Sequence, residues 1–425
     1  MKIVTIGLGY IGLPTAIMFA NHDHKVIGVD VNAEVIKKLN NKKIHIEEPF
    51  LQEKLEQAID SGNFRASTNV ESADAFIVAV PTPNKADLMK SCDLTYVKQA
   101  VVSMLPYLQK GNVVIIESTI APKTTEREIV PLIEAMGYIV GEDIYVLHCP
   151  ERVLPGKIVY ELIHNDRIIG GMTPKCTQAG IELYQTFVTG KLIPASASTA
   201  ELSKLMENTF RDVNIALANE LVKIGTELEI NALEVIELAN RHPRVNLHQP
   251  GPGVGGHCLA VDPYFVAATA PLQSPLIRQA REINQSMPTF VVEEVKQLMG
   301  NIDGKKIAVF GLTYKGNIDD IRESPAMTIY KKLLRDSRYE VVAYDPHVKQ
   351  DFVEPDINQA LLGADLILIL ADHDEFKDIS KEKIAKMNSK IIFDTKRVVR
   401  TDTNDVKLFH MGDVYRMKTL SGEQV

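Results

Sequence analysis

Cys258 stands in Pro250-Gly251-Pro252-Gly253-Val254-Gly255-Gly256-His257-Cys258-Leu259-Ala260-Val261-Asp262-Pro263, a stretch whose residue types offer nucleophilic chemistry. Four glycines and two prolines fall in its first seven residues. Such a run continues neither helix nor strand, because glycine maximises backbone entropy and proline removes a donor, so it reads as a shaped loop. The loop delivers Cys258 to what reads as the start of a helix, where unbonded N–H groups and the dipole favour a thiolate. Asp262 follows one turn on. A structural thiol beside a turn is the plainer reading of a lone cysteine. Lys204 and Asn208, spaced i, i+4 on one helical face, would join this chemistry if that face looks at Cys258; otherwise Lys204 is an ordinary solvated charge.

A second constellation lies at the N-terminus. Residues 2–7 are a β-branched run leading into Gly7-Leu8-Gly9-Tyr10-Ile11-Gly12, an apolar helical pattern continues to Ala20, and a second strand, Lys25–Val29, ends in Asp30, 18 residues after Gly12. A glycine triplet between strand and helix lets backbone approach a pyrophosphate, the helix N-terminus meets its charge, and the acidic residue takes ribose hydroxyls. Asp30 would repel a 2'-phosphate, so NAD is favoured over NADP. Further buried-strand patterns at 75–80, 112–117 and 144–148 end in Pro81-Thr82-Pro83, Glu117-Ser118-Thr119 and Cys149-Pro150-Glu151-Arg152. Ligands of open parallel sheets sit outside those carboxyl ends. Pro81, Thr82, Ser118, Thr119 and Glu151 therefore read as lining the nicotinamide end, although Ser and Thr there also serve as turns and caps.

These residues need elements to hold them. The expected fold is α/β: two doubly wound Rossmann-like domains joined by a long central helix and a helical dimerisation domain. Residues 1–195 form the NAD-binding domain, 196–300 the helical segment carrying the cysteine loop, and 301–425 a second strand-helix series. Residues 199–241 read as helical with a break at Gly225, and another helix spans Pro275–Met299. Strands follow near 305–310, 339–344, 364–370 and 390–393. The turn Gly311-Leu312-Thr313-Tyr314-Lys315-Gly316 lacks the glycine triplet, so no second dinucleotide is expected. The chain from Lys418 on should be loose.

At 425 residues the chain exceeds one core, and a net charge of −8 gives no footprint for nucleic acid. The sequence holds no membrane span and no leader pattern, so a cytoplasmic protein is expected. Cys92, Cys149, Cys176 and Cys258 form no CxxC pair or His/Cys cluster; neither disulfides nor a metal is expected, and roles for the first three stay open.

Gly7-Leu8-Gly9-Tyr10-Ile11-Gly12, Glu201-Leu202-Ser203-Lys204-Leu205-Met206-Glu207-Asn208, Gly253-Val254-Gly255-Gly256-His257-Cys258 and Asp320-Ile321-Arg322-Glu323-Ser324-Pro325, in this order, resemble the nucleotide-sugar 6-dehydrogenases, the family of UDP-glucose and GDP-mannose dehydrogenases. The resemblance covers essentially the whole chain. It implies oxidation of a C6 primary alcohol to a carboxylate with two NAD, through a Cys258 thiohemiacetal and thioester. It further implies Lys204, Asn208 and Asp262 as catalytic partners, Glu151 as hydrolytic base with Thr119, and Arg322 toward the cofactor. For the UDP-sugar it implies Glu151, Arg152, Val153, Lys204, Asn208, Gly255 and Lys315, with Arg244 and His242 donated by the second subunit of a homodimer. Family members specific for UDP-glucose carry Phe-Leu where this chain has Arg152-Val153, which makes glucose the less expected sugar. Lys396-Arg397-Val398-Val399 departs from the family, where glycine is common, so Lys396 and Arg397 receive no role. Other nucleotide sugars, or a non-catalytic binder of NAD and nucleotide sugar, are the competing readings.

Overall fold

The computed structural model describes residues 1–300, 302–400 and 405–417; the looseness expected from Lys418 lies outside them. The chain forms two compact units, Met1–Glu207 with Tyr264–Pro271, and Asn208–Pro263 with Leu272–Val425. The segment 196–300, expected as one domain, thus contributes residues 196–207 and 264–271 to the first unit and its remainder to the second.

In the first unit, β1 (Lys2–Ile6), β2 (Lys25–Val29), β3 (Phe64–Ser67), β4 (Ala75–Val78), β5 (Val113–Ile116), β6 (Tyr145–His148), β7 (Arg167–Gly171) and β8 (Leu192–Ser196) build a sheet of order β3-β2-β1-β4-β5-β6-β7-β8. Pairing is parallel except between β6 and β7, where Leu147 faces Gly171 and His148 faces Gly170. β4 and β5 are buried at every position, as strands covered on both faces must be. Ile3, Ile17 and Leu147 join the cluster on one face; Val4, Phe76 and Val97 join that on the other. β4 stops at Val78, two residues short of expectation; at Val80 the Ser118 hydroxyl accepts from the backbone N–H (2.9 Å) and donates to the C=O (2.8 Å) in place of a strand partner.

The second unit carries β9 (Lys305–Phe310), β10 (Tyr339–Tyr344), β11 (Leu366–Ile369), β12 (Ile391–Asp394) and β13 (Lys407–His410), all parallel, in the order β10-β9-β11-β12-β13. The helix Pro275–Met299 presses Met287, Val291 and Val295 into the same cluster as Ile307, Val309 and Tyr330, while Ala308, Phe310 and Ile369 pack on the opposite face.

A spine helix, Ala197–Leu228, runs 32 residues with no break at Gly225. The glycine has another use. A Cβ there would lie 2.5 Å from the Ile230 carbonyl, which the chain brings close by turning through Glu229 at φ +56°. The next helix, Ala232–Ala239, starts where Asn231 caps the Leu233 N–H at 3.0 Å. Among the described residues no helix is long and apolar enough to cross a membrane.

Candidate active site

The first turn of unit one has the shape of a dinucleotide cradle. Gly7 sits at φ +93° with its missing Cβ 2.5 Å from the Ala79 carbonyl, and a Cβ on Gly12 would lie 1.9 Å from the Gly7 carbonyl, so both must be glycine. A Cβ on Gly9 would meet nothing within 4 Å; its bareness serves the open side. The helix Gly12–Ala20 that follows has no side-chain cap and no acid in its first turn, so the positive end of its dipole faces an anion without a competing carboxylate, although the Leu13 and Thr15 N–H groups bond back to the Gly9 and Ile11 carbonyls (3.2 and 3.1 Å) and Pro14 has none. Asp30 ties the cradle together, accepting from Leu8 N–H (3.0 Å) with one oxygen and Asn32 N–H (2.9 Å) with the other. Tyr10 is 48% exposed at the rim, beside half-buried Ile11. These residues fit a pyrophosphate and a ribose diol.

At the carboxyl ends of the strands two of the hydroxyls, those of Ser118 and Thr82, are already engaged. Ser118 stitches to Val80, and Thr82 donates to the Thr119 carbonyl at 2.6 Å, so both shape the ledge under an exposed Pro81. Arg152 donates to Glu207 at 2.9 Å and to the Asp166 carbonyl, next to half-buried Val153.

Glu151 lies in an assembly that the sequence did not reveal. Arg167, 4% exposed, bridges Glu151 and Glu117; its Nη1 stands 3.2 Å from Glu117 Oε1, and its Nη2 donates to Glu151 Oε2. Tyr184 donates to Glu117 Oε1 at 2.6 Å and offers its ring to the guanidinium at 4.5 Å. Cys149 lies 3.7 Å from Arg167 Nη1, and burial pushes its thiol up to about 12, a protonated and inert side chain at neutral pH. Burial likewise lifts Glu117 to about 7 against the pull of Arg167. The antiparallel turn into β7 is the cause of the meeting: reversing direction brings the first residue of β7 to the edge where β5 and β6 end. Partners 50 and 16 residues apart in sequence give no local signal. His148, at the end of β6, is fully buried, neither ring nitrogen has a hydrogen-bond partner of good geometry among the described residues, and burial drives its pKa down to about 3.

In the second unit the cysteine loop is held from two sides. Its glycines admit neighbours: Cβ atoms on Gly255 and Gly256 would lie 2.4 Å from the Glu323 carbonyl and 2.8 Å from the Tyr314 ring. Its backbone is pinned by buried amides. Asn219 accepts from Gly251 N–H (2.9 Å) and donates to Asn284 (2.9 Å), which donates to Asp212 (2.8 Å); Arg281 binds the same carboxylate and reaches the Leu259 carbonyl at 3.4 Å. The expected helix start at Cys258 is corrected to Asp262. Residues 258–261 form a turn, the helix Asp262–Thr269 begins where Asp262 and Pro263 suit a first turn, and the Cys258 carbonyl accepts the Asp262 N–H at 2.8 Å. Cys258 is exposed, and none of the four cysteines is in a disulfide. Asn208, on the spine helix, donates to Asp262 at 2.6 Å with both side chains buried. Lys204, one turn earlier on that helix, is 8% exposed, not the solvated lysine of the plainer reading.

Arg322 closes a bidentate fork on Asp320 (2.9 and 2.8 Å), with His257 3.5 Å from the same carboxylate. Lys315 is exposed at the tip of its turn, and His242 and Arg244 are exposed, the Arg244 N–H 3.4 Å from His242 Nδ1. Arg397 pairs with Glu237, and Lys396 lies 3.9 Å from Asp372; Arg397 sits at φ +56°, a conformation that glycine adopts without strain. His347, His373 and Glu375 bring ligand atoms within 4.8 Å, but His373 is committed, accepting from Asn317 N–H (2.9 Å) and hence donating through Nε2 to Asp345 (3.1 Å).

A glycine cradle on a parallel sheet, a second parallel α/β unit and an exposed thiol on a pinned loop define a dinucleotide-binding α/β protein of the dehydrogenase class. The chain belongs to the UDP-glucose/GDP-mannose dehydrogenase family, whose NAD binding domain matches residues 1–188, central domain 198–286 and UDP binding domain 308–401. It is 49% identical over 422 residues to the UDP-N-acetyl-D-mannosamine dehydrogenase of Methanocaldococcus jannaschii, covering 97% of this chain and 96% of that one. The structure of the UDP-N-acetyl-mannosamine dehydrogenase from Staphylococcus aureus matches with a TM-score of 0.91 and 57% identity, over 98% of this chain and 100% of that one. The NDP-N-acetyl-D-galactosaminuronic acid dehydrogenase of Ralstonia solanacearum is 46% identical over 407 residues, 93% of this chain and 95% of that protein.

Proposed function

We propose that the chain oxidises the C6 alcohol of UDP-N-acetyl-D-mannosamine to the carboxylate in two NAD-dependent steps, in the cytoplasm, yielding a mannosaminuronic acid donor for surface polysaccharide or glycan synthesis. The observation that carries this reading is similarity over nearly the full chain to enzymes bearing that substrate's name, in a sequence that keeps Cys258, Lys204, Asn208, Asp262 and Glu151.

Bound at the cradle of Gly7, Gly9, Gly12 and Asp30, NAD supplies the hydride acceptor for each oxidation. The remaining chemistry falls to side chains. A water held by Lys204 and Asp262 accepts the alcohol proton. The Cys258 sulfur adds to the aldehyde carbon, keeping that intermediate bound, and after the second oxidation carries the acid as a thioester. Asn208 gives one N–H to Asp262 and the other to the oxyanion, which Lys204 also meets; such a donor contributes about 3 kcal/mol. Glu151 then takes a proton from the hydrolytic water, with Thr119 in support.

Lys315, Gly255, Arg152 and Val153 are assigned to the UDP-sugar and Arg322 to the cofactor side. His242 and Arg244 are assigned to the neighbouring site of a homodimer. An exposed apolar stripe on the spine helix, Phe210, Leu217, Ile224 and Leu228, between 48% and 60% exposed, supports that dimer. The similarity to an enzyme named for a galactosaminuronic acid sugar favours, as second reading, the same chemistry on another N-acetylated nucleotide sugar.

Cys258→Ser is the direct test. Acid formation should fall at least about 10³-fold while NAD and UDP-sugar binding, measured by calorimetry, stay within about twofold. Wild-type turnover in that variant would rule out the covalent route.

A further inference from the structure

Glu151 acts in the hydrolytic step, and its buried neighbours have no task in that chemistry so far. We propose that Arg167, backed by Glu117 and Tyr184, is a positioning residue that fixes the Glu151 carboxylate for thioester hydrolysis. The proposal rests on the assignment of Glu151 as hydrolytic base.

Both oxygens of Glu151 are held. Oε2 accepts from Arg167 Nη2 and Oε1 accepts from the Arg152 N–H at 2.7 Å, so the carboxylate has one orientation. The guanidinium is equally fixed, by Glu117 Oε1 at 3.2 Å and by the Tyr184 ring against its face. The guanidinium thus meets two glutamates. The second has a consequence for the reaction. When Glu151 takes a proton it ceases to neutralise Arg167, and a buried cation left alone is strongly unfavourable. Glu117 is 0% exposed in its side chain, and its Oε1 is shared by Arg167 and the Tyr184 hydroxyl, so at pH values above about 7, where Glu117 is ionised, the cation stays paired through the step. Cys149, facing the same guanidinium from the end of β6, is a neutral thiol and adds no competing charge.

In the step itself the oxygen of a water adds to the thioester carbonyl carbon, and Glu151 receives that water's proton. The carbon–sulfur bond then breaks, its electron pair returns to the Cys258 sulfur, and the sugar leaves as the acid. Water is the sole co-reactant, and no electrons are exchanged.

The test is single-turnover oxidation of UDP-N-acetyl-D-mannosamine by the full-length enzyme with excess NAD, comparing wild type with Arg167→Lys, Tyr184→Phe and Glu151→Gln. Intact-protein mass spectrometry reads the sugar adduct on Cys258. In Arg167→Lys the adduct should accumulate and kcat fall about tenfold or more, while NADH formation in the first turnover and the Kd for NAD stay within about twofold. Tyr184→Phe should move the same way by about threefold. A residue that only stabilised the fold would slow hydride transfer and hydrolysis together. If Arg167→Lys does not fold, Tyr184→Phe, which deletes one hydroxyl, decides. The proposal is overturned if both variants hydrolyse at the wild-type rate while Glu151→Gln accumulates adduct, or if every step slows equally. Hydrolysis at the wild-type rate in Glu151→Gln removes the Glu151 assignment, and the proposal with it.

Discussion

Glu117 and His148 carry charge states imposed by the apolar atoms around them, and they act on stability with opposite sign. Glu117 is raised from 4.5 to about 7, so the folded chain binds its proton first and stability falls as pH rises through that window. His148 is lowered from 6.5 to about 3, so the unfolded chain binds the proton first and stability is lost as pH falls from 6.5 toward 3. Between pH 4.5 and 6.5 the two slopes oppose each other, and single variants separate them. Denaturant unfolding at a series of pH values should show Glu117→Gln losing the decline toward neutrality and His148→Leu losing the acid limb. His148→Leu should also match or exceed wild-type stability at pH 7, because it removes two buried nitrogens without a well-formed hydrogen bond among the described residues. An unchanged acid limb in that variant would assign the limb to another group. Glu117 was visible in the sequence as a polar strand end, yet its charge state was not. The raised value comes from complete burial, and burial is a property of the folded sheet.

Among the elements, the glycine turn was the most legible, because its requirements are local. Strand, triplet, helix and a second strand ending in an acid all follow within thirty residues. Gly12→Ala should therefore do double harm. Its methyl would sit 1.9 Å from the Gly7 carbonyl, at a cost of about 2–4 kcal/mol in unfolding free energy, and NAD affinity should drop at least about tenfold. Thermal melts with and without NAD read both effects, and a variant that binds NAD normally would contradict this account of the turn. The helix Pro275–Met299 and strands β9 and β10 likewise carry their bounds in local pattern. The cysteine loop was only half legible. Its shape was evident from glycine and proline, but the polar lattice of Asp212, Asn219, Arg281 and Asn284 joins positions up to 72 residues apart. No motif in the sequence around any of them marks this lattice. The helix start was misplaced for a related reason: Pro263 permits a first turn, and nothing local excluded starting it four residues sooner.

On the scale of the whole molecule, the proposed dimer is tested through the spine helix. Leu217→Asp with Ile224→Asp places two charges in the exposed apolar stripe and should turn a dimer into a monomer by light scattering. Activity should fall with it, because Arg244 and His242 would no longer reach a neighbouring site, while NAD binding persists. A variant that remains dimeric would move the interface elsewhere. The central claim, a double oxidation of one UDP-sugar without release of the aldehyde, is tested most directly by counting NADH per molecule of limiting substrate. With UDP-N-acetyl-D-mannosamine limiting and NAD in excess, absorbance should report two NADH per sugar, with little turnover of UDP-N-acetylglucosamine or UDP-glucose. One NADH per sugar with aldehyde appearing in solution, or no NADH from any of the three, would contradict it.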